Sequence, residues 1–268
     1  MSFSGEFSEN QINRYARHIL LKEVGGTGQE ALLNSKVLLI GAGGLGSPLV
    51  MYLAAAGVGE IGIVDDDVVD LSNLQRQIAH TTERIGSAKV ASVEQTVTAL
   101  NPDIKLTPHN VRIDASNAMD LISRYDLVAD GSDNFDTRFL INDACYLAGR
   151  PLVSAAILRF DGQISTFKAH EGGDNPCYRC LFREPPPPGQ IPSCAEAGVL
   201  GALCGVAGSL QATEILKELM GIGESLSGSL LMYEGLGTSF HKIKVKPDPG
   251  CPLCGDNPTI TDLSIHEH

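Results

Sequence analysis

The stretch Lys36-Val37-Leu38-Leu39-Ile40-Gly41-Ala42-Gly43-Gly44-Leu45-Gly46-Ser47-Pro48, which runs on as LVMYLAAAG to Gly57, decides the architecture. A short aliphatic strand, Lys36–Ile40, meets a glycine-rich turn, and an apolar helix follows. The uncharged span from Val37 to Gly59 is long enough on paper to cross a bilayer. Its middle, GAGGLGSP, breaks any continuous helix, so the span reads as strand, turn and helix inside a folded protein. Gly41, Gly43 and Gly46 have G-x-G-x-x-G spacing in the strand-to-helix context that lets backbone approach a phosphate at a helix N-terminus. Asp65 follows Gly46 by 19 residues, at the end of the next strand, Glu60–Val64. A carboxylate there can accept hydrogen bonds from ribose hydroxyls.

Working outward, the same alternation continues. SENQINRYARHILL reads as an amphipathic helix with capping-box spacing at Ser8 and Gln11. A helix over about 87–100 is followed by a strand near 105–108. Leu127–Ala129 is a strand ending in DGSDN, and a helix over 137–148 leads to the strand PLVSAAI. Strands alternating with helices predict a parallel, doubly wound α/β sheet. After Ile157 the texture changes. Residues 163–169 alternate as in an antiparallel strand, PPPPGQIPS (185–193) reads as a mobile crossing loop, 205–220 returns to helix, and 230–233 and 241–245 read as strands. The last dozen residues read as a loose tail. No internal repeat is visible, and one continuous domain with a C-terminal elaboration is expected.

Composition sets limits. The 268 residues carry 32 acidic and 20 basic side chains, a net charge of −12, and 43% are hydrophobic. That suffices for a core and disfavours nucleic acid or an anionic membrane as partner. The first ten residues lack a signal-peptide pattern, so the expected location is cytoplasmic, with the seven cysteines as thiols, metal ligands or catalysts.

The polar run Asp65-Asp66-Asp67-Val68-Val69-Asp70-Leu71-Ser72-Asn73-Leu74-Gln75-Arg76-Gln77 bears on the chemistry. A nicotinamide-dependent oxidoreductase has no need of it, whereas an enzyme acting at the phosphates of ATP must neutralise a triphosphate. Asn73, Arg76 and Lys89 can supply donors, and Asp133, at the carboxyl end of a strand, can hold Mg2+ through oxygen. GAGGLGSP lacks the G-K-[ST] ending of a Walker A loop. Two C-x-x-C hooks, Cys177/Cys180 and Cys251/Cys254, with 70 residues between them, suit a closed structural Zn2+ site with four thiolates, against unrelated thiols or redox pairs. Cys145 and Cys204 lie in apolar helical stretches and read as packing residues.

R-Y-A-R-H-I-L, G-A-G-G-L-G, D-D-D-x-V-x-x-S-N-L-Q-R-Q, A-K-V, G-S-D-N, C-Y-R-C and C-P-L-C together closely resemble the ubiquitin-activating-like adenylyltransferases of bacterial sulfur-carrier pathways, in family order over nearly all of residues 8–255. The resemblance implies a Rossmann-like, mainly parallel sheet, with a nucleotide-binding core over 8–157 and a carrier-binding, zinc-containing part over 158–255. The tail takes 256–268. It implies ATP contacts by Gly44, by the segment Ser72, Asn73, Leu74, Gln75 and Arg76, and by Lys89, with Asp65 on the ribose. Asp133 is matched to the magnesium-linked aspartate, with Asn134 beside it. Arg17 is similar to an arginine that reaches the ATP site of the other subunit in a homodimer. Cys194, in IPSCAEAG, resembles the thiol that accepts the acyl group in the thiamine-pathway branch, and its role stays open. The implied reaction is adenylation of the C-terminal glycine carboxylate of a ubiquitin-like sulfur carrier ending in Gly-Gly, with release of pyrophosphate. The molybdopterin pathway is preferred over the thiamine pathway, with a separate protein as sulfur donor. Two further alternatives, a non-catalytic carrier scaffold and an enzyme activating a carboxylate on tRNA, fit the intact polar set and the negative charge less well.

Overall fold

The computed structural model describes residues 5–187 and 197–267. Cys194 and most of the proline-rich stretch lie outside them. α1 (Glu9–Ile19) begins with the expected capping box, Ser8 and Gln11 exchanging side chain to backbone bonds. α2 (Gly25–Asn34) follows, then β1 (Lys36–Ile40), α3 (Gly46–Ala56), β2 (Glu60–Val64), α4 (Lys89–Leu100) and β3 (Lys105–His109). The second half runs α5 (Ala118–Ser123), β4 (Leu127–Asp130), α6 (Phe135–Ala148), β5 (Leu152–Leu158), β6 (Asp161–Phe167), the single turn α7 (Tyr178–Leu181), α8 (Gly201–Met220), β7 (Ser229–Glu234) and β8 (Ser239–Lys244).

The strands form one sheet in the order β3-β2-β1-β4-β5-β6-β7-β8. From β3 to β5 neighbours pair parallel, and from β5 to β8 antiparallel. The Rossmann-like half and its antiparallel elaboration are therefore as expected. β1 is apolar on both faces because both are covered. Val37 and Leu39 pack under α3, α4 and α8, while Leu38 and Ile40 pack under α5 and α6. Chain order reverses between β1 and β4, which opens a crevice at the carboxyl ends of these strands, the usual ligand position in such sheets. No helix among the described residues is long and apolar enough to cross a membrane.

Several elements differ from the sequence expectation. α2 carries no clear helix signal in the sequence, because glycines at 25, 26 and 28 lower helix propensity. Tertiary contacts override it: Leu32 and Gln29 are buried, and Gln29 donates to the carbonyl of Ala56 at 2.9 Å. α8 starts four residues earlier than expected. Its Gly208 is required by close crossing, since a Cβ there would lie 2.6 Å from Pro48 of α3. The segment expected to be a loose tail is docked. Leu263 joins the core beneath α5 and α6, Ile260 packs beside Cys177 and Cys251, and His266 bonds Asp143 at 2.8 Å. Its apolar residues are spaced too irregularly to announce a packed face.

Candidate functional site

The glycine turn sits in the crevice, and its glycines answer to different demands. Gly41 has φ +95°, its N–H donates to Val64 at 2.8 Å, and a Cβ would lie 2.9 Å from the Gly131 carbonyl. A Cβ on Gly46 would lie 2.0 Å from the carbonyl oxygen of Gly41. The chain's own backbone therefore requires both glycines. On Gly44 a Cβ would meet Cys204 Sγ at 3.0 Å and the Arg76 stem at 3.4 Å. On Gly43 it would meet only Gln77, at an ordinary 3.7 Å. The fold makes no demand for glycine at 43; the missing Cβ leaves open space over the turn. α3 begins here with no side chain capping its N-terminus; the Ser47 N–H donates to the Gly43 carbonyl at 2.9 Å, and Pro48 has no N–H to satisfy.

The polar run wraps this turn. Asp65 accepts from the Ala42 N–H at 2.7 Å and from the Asp67 N–H at 2.9 Å. Its carboxylate is thus fixed against the turn, with lone pairs left over. Asp70 caps a short 3-10 turn over 71–73 by accepting from the N–H and hydroxyl of Ser72, so the Ser72 hydroxyl is already committed. Half-buried Arg76 donates to the Ser72 carbonyl at 3.1 Å. Asn73 and Leu74 are half-buried and Gln75 exposed. Lys89, at the start of α4, is 5% exposed, and its Nζ lies 2.7 Å from Asp67, itself an exposed carboxylate. A cation at a helix N-terminus opposes the helix dipole; Asp67 offsets that charge on the solvent side, where a phosphate could take its place. Within the acidic trio, Asp65 is thereby held by N–H groups and Asp67 by Lys89, while Asp66 is exposed.

The loop after β4 lies alongside, its Gly131 N–H bonded to Ile40 at 2.9 Å. Asp133 is exposed and without a partner among the described residues, so its oxygens fit a hard cation. Asn134 instead caps α6, accepting from Thr137 N–H at 2.9 Å. Sequence reasoning missed three residues here. Buried Asp130 accepts from Ser132 and Ser154 and holds the GSDN loop. His80 is buried between Ser92 Oγ and the Ala42 carbonyl, both at 2.9 Å, and burial pushes its imidazole below the usual histidine range. Gln77 is buried beside Gly43. The signal was present in Q-R-Q-x-x-H, two polar residues spaced onto one side of a turn.

Arg17 is not brought to this crevice. α1 is seated at the far ends of α3 and α4, where Arg14 donates to Leu100 and Tyr15 meets Asn101 and Gly57. α3 alone puts about 16 Å between that end and the turn. Arg17 is exposed, and among the described residues it has no partner.

The four cysteines do converge. Cys177 lies 3.5 Å from Cys251 and 3.3 Å from Cys254, and Cys180 lies 3.4 Å from Cys254, sulfur to sulfur. All four sulfurs fall within 4.8 Å of one another. Tetrahedral zinc with ~2.3 Å bonds to sulfur needs edges of about 3.8 Å, so the set fits that ion, and four thiolates so close need a cation among them. Zinc there would leave no open coordination position and would tie α7 to the loop after β8. Beside it, buried Asp143 of α6 accepts two bonds from Arg179, at 2.8 and 2.6 Å, and faces His266. Cys145 and Cys204 are buried on α6 and α8, as expected.

Comparison with known protein families matches residues 15–253 to the ThiF family. The chain is 49% identical over 263 residues to the sulfur carrier protein adenylyltransferase of Thermus thermophilus, covering 97% of each. It is also 49% identical to the adenylyltransferase and sulfurtransferase MOCS3 of Sus scrofa, covering 97% of this chain and 57% of that longer protein. Among solved structures, E. coli MccB superposes with a TM-score of 0.80 at 21% identity, over 92% of this chain and 76% of that one, a likeness of fold.

Proposed function

The chain belongs to the ThiF family and is an adenylyltransferase, and from that premise we propose that it activates the C-terminal glycine carboxylate of a ubiquitin-like sulfur carrier. The carboxylate attacks the α-phosphorus of ATP, its oxygen–phosphorus bond forms as the bond to pyrophosphate breaks, and an acyl-adenylate results. The nucleophile is already ionised at neutral pH, so no side-chain base is required. The protein's work is alignment and charge neutralisation. In this reading Asp65 holds the ribose, the open turn at Gly43 and Gly44 admits the phosphates, and Asn73, Arg76 and Lys89 supply positive or donor groups. Asp133 would hold Mg2+, which neutralises phosphate charge when bound. The four-thiolate set would hold structural Zn2+.

The observation that carries the reading is Lys89: a buried cation opposing a helix dipole, balanced by one exposed carboxylate, beside a turn with space for an anion. The carrier is taken to be the small subunit of molybdopterin synthase, with a separate sulfur donor, in the cytoplasm. ATP–pyrophosphate exchange with purified carriers ending in Gly-Gly tests this. Exchange dependent on the molybdopterin-pathway carrier is the expected result. Exchange with the thiamine-pathway carrier alone would reassign the pathway, and exchange with neither would overturn the carrier reading. The position of Arg17, away from its own crevice, supports a homodimer in which it serves the other subunit's site. Mixing inactive Arg17→Ala and Asp133→Ala chains should then restore part of the exchange activity; no recovery despite confirmed subunit exchange would remove Arg17 from the site.

A further inference from the structure

Asp133 projects from a loop whose backbone is held on both sides by one residue, Arg138 of α6. The Ser132 carbonyl, one position before Asp133, accepts from Arg138 Nη2 at 2.8 Å. The Asn134 carbonyl, one position after it, accepts from the Arg138 N–H at 3.3 Å, at the start of α6. Any residue but proline could supply that N–H. The bond to Ser132 needs a long side chain that turns back along the helix start and carries a fixed fork of donors.

Arg138 is 8% exposed, and a buried cation is costly without a reason to be there. Its Nε lies 3.4 Å from Asp130 Oδ2, outside hydrogen-bond geometry, and is buried without an acceptor. Asp130 is met by other donors: the Ser132 N–H and hydroxyl on Oδ1, at 2.9 and 2.6 Å, and the Ser154 hydroxyl on Oδ2, at 2.7 Å. The carboxylate therefore offsets the charge of Arg138 without depending on it for hydrogen bonds. The short, directed bond of the guanidinium goes to Ser132, and the Tyr178 hydroxyl stands near it as well. Ser132 then has its N–H, its carbonyl and its hydroxyl all bonded. The next side chain, Asp133, is exposed and has no partner among the described residues. A free carboxylate on a clamped backbone is the arrangement that a cation ligand needs.

We infer that Arg138 is a positioning residue: it fixes the Ser132 carbonyl, and through it the direction in which the Asp133 carboxylate meets Mg2+. It touches neither the ion nor the nucleotide. The inference rests on the reading of Asp133 above. Mg2+ demands near-ideal octahedral geometry, so a ligand carried on a loop needs such a clamp.

The test is ATP binding to the full chain without carrier, read by calorimetry and by thermal shift across a Mg2+ titration. Arg138→Lys keeps the charge beside Asp130 and loses the fork. The Mg2+ concentration that gives half of the ATP-induced shift should rise about 10- to 100-fold, the range for losing a residue that orients a metal ligand. ATP affinity without Mg2+ should stay at the wild-type value. Placed in an Asp133→Ala background, Arg138→Lys should add nothing, because it acts only through that carboxylate. A structural role would instead lower the unliganded melting temperature and leave the Mg2+ response unchanged. That pattern, or additive losses in the double variant, would overturn the inference. Arg138→Gln combined with Asp130→Asn removes both buried charges together and shortens the reach to Ser132, which covers the case in which Arg138→Lys does not fold. It should show the same weakened response, and a wild-type response would again overturn the inference. Wild-type protein whose ATP binding ignores Mg2+ would overturn the reading of Asp133 itself, and Arg138 with it.

Discussion

The crevice and the cysteine corner handle buried polarity in opposite ways. In the corner the buried carboxylate is fully answered by protein groups, and only the four sulfurs call for a cation. Asp143 is met by Arg179, His266 and Asn142, whose own carbonyl accepts the Tyr178 N–H, and the Asp248 N–H donates to Cys180. In the crevice the accounts stay open. Gln77 has a buried oxygen without a partner, Asp133 stands exposed and alone, Lys89 has one solvent-facing counter-ion, and no side chain caps α3. The contrast is between these two regions and not a rule for the chain, since Arg150 Nε beside the corner and Thr166 Oγ1 in β6 are also buried without partners.

Substitutions in the two regions should separate stability from activity. Arg179→Ala leaves a buried carboxylate short of its main counter-charge and should lower unfolding free energy by about 3–5 kcal/mol in urea titration. Asp133→Ala should leave the urea midpoint unchanged and lower exchange about 10²- to 10³-fold. If Asp133→Ala destabilised as much as Arg179→Ala, the contrast between the regions would collapse. A finer comparison lies inside the turn. Gly46→Ala forces a Cβ onto the Gly41 carbonyl and should cost about 1–3 kcal/mol or more in a thermal melt. Gly43→Ala meets only ordinary contact in the protein, so it should stay folded while its ATP-induced thermal shift shrinks; equal losses of stability in both would show that the space over Gly43 belongs to the fold.

The smallest effect concerns pH. His80 is held below its ordinary range, chiefly by burial, with Lys89 and Arg84 acting in the same sense and the Ala42 carbonyl and Asp65 against it. Between its folded-state value and about 6.5 the unfolded chain binds the extra proton, so stability should fall as pH drops below about 6.5. Asp143 is pushed up by burial, but bonds from His266 and Arg179 outweigh that and hold it low. Its contribution is present above about 3.9 and is lost only as pH falls further. Urea midpoints measured across this range in wild type and His80→Gln should diverge first near pH 6; a flat wild-type profile down to pH 4 would contradict the His80 term.

The parallel half of the fold was legible because its signals are local. Lys36–Ile40, the glycine turn and Asp65 each sit within one strand or turn, and the paired C-x-x-C hooks give their chemistry by spacing. What escaped was non-local. α2 forms against its own propensity because Gln29 and Leu32 find partners elsewhere. Asp130, Gln77 and His80 are ordinary polar letters until the fold places them under the turn. Asn134, read as part of the site, also caps α6, a role set by the φ/ψ of one residue. The docking of the last dozen residues was illegible because it turns on one histidine meeting an aspartate 123 positions earlier.

That same docking sets a timetable for synthesis. Asp143 emerges with α6, and Arg179 follows soon after, but His266 is 87 positions further along. At ~5–20 residues per second, Asp143 of α6 waits roughly 6–25 s for its last hydrogen-bond partner, 123 positions on, and Leu263 is missing from the core beneath it for nearly as long. The Rossmann-like sheet can begin to assemble on the ribosome, yet the seal over its α6 face is the last part to be made. A stalled or truncated nascent chain would carry a nearly complete nucleotide crevice on a domain whose far side is still open.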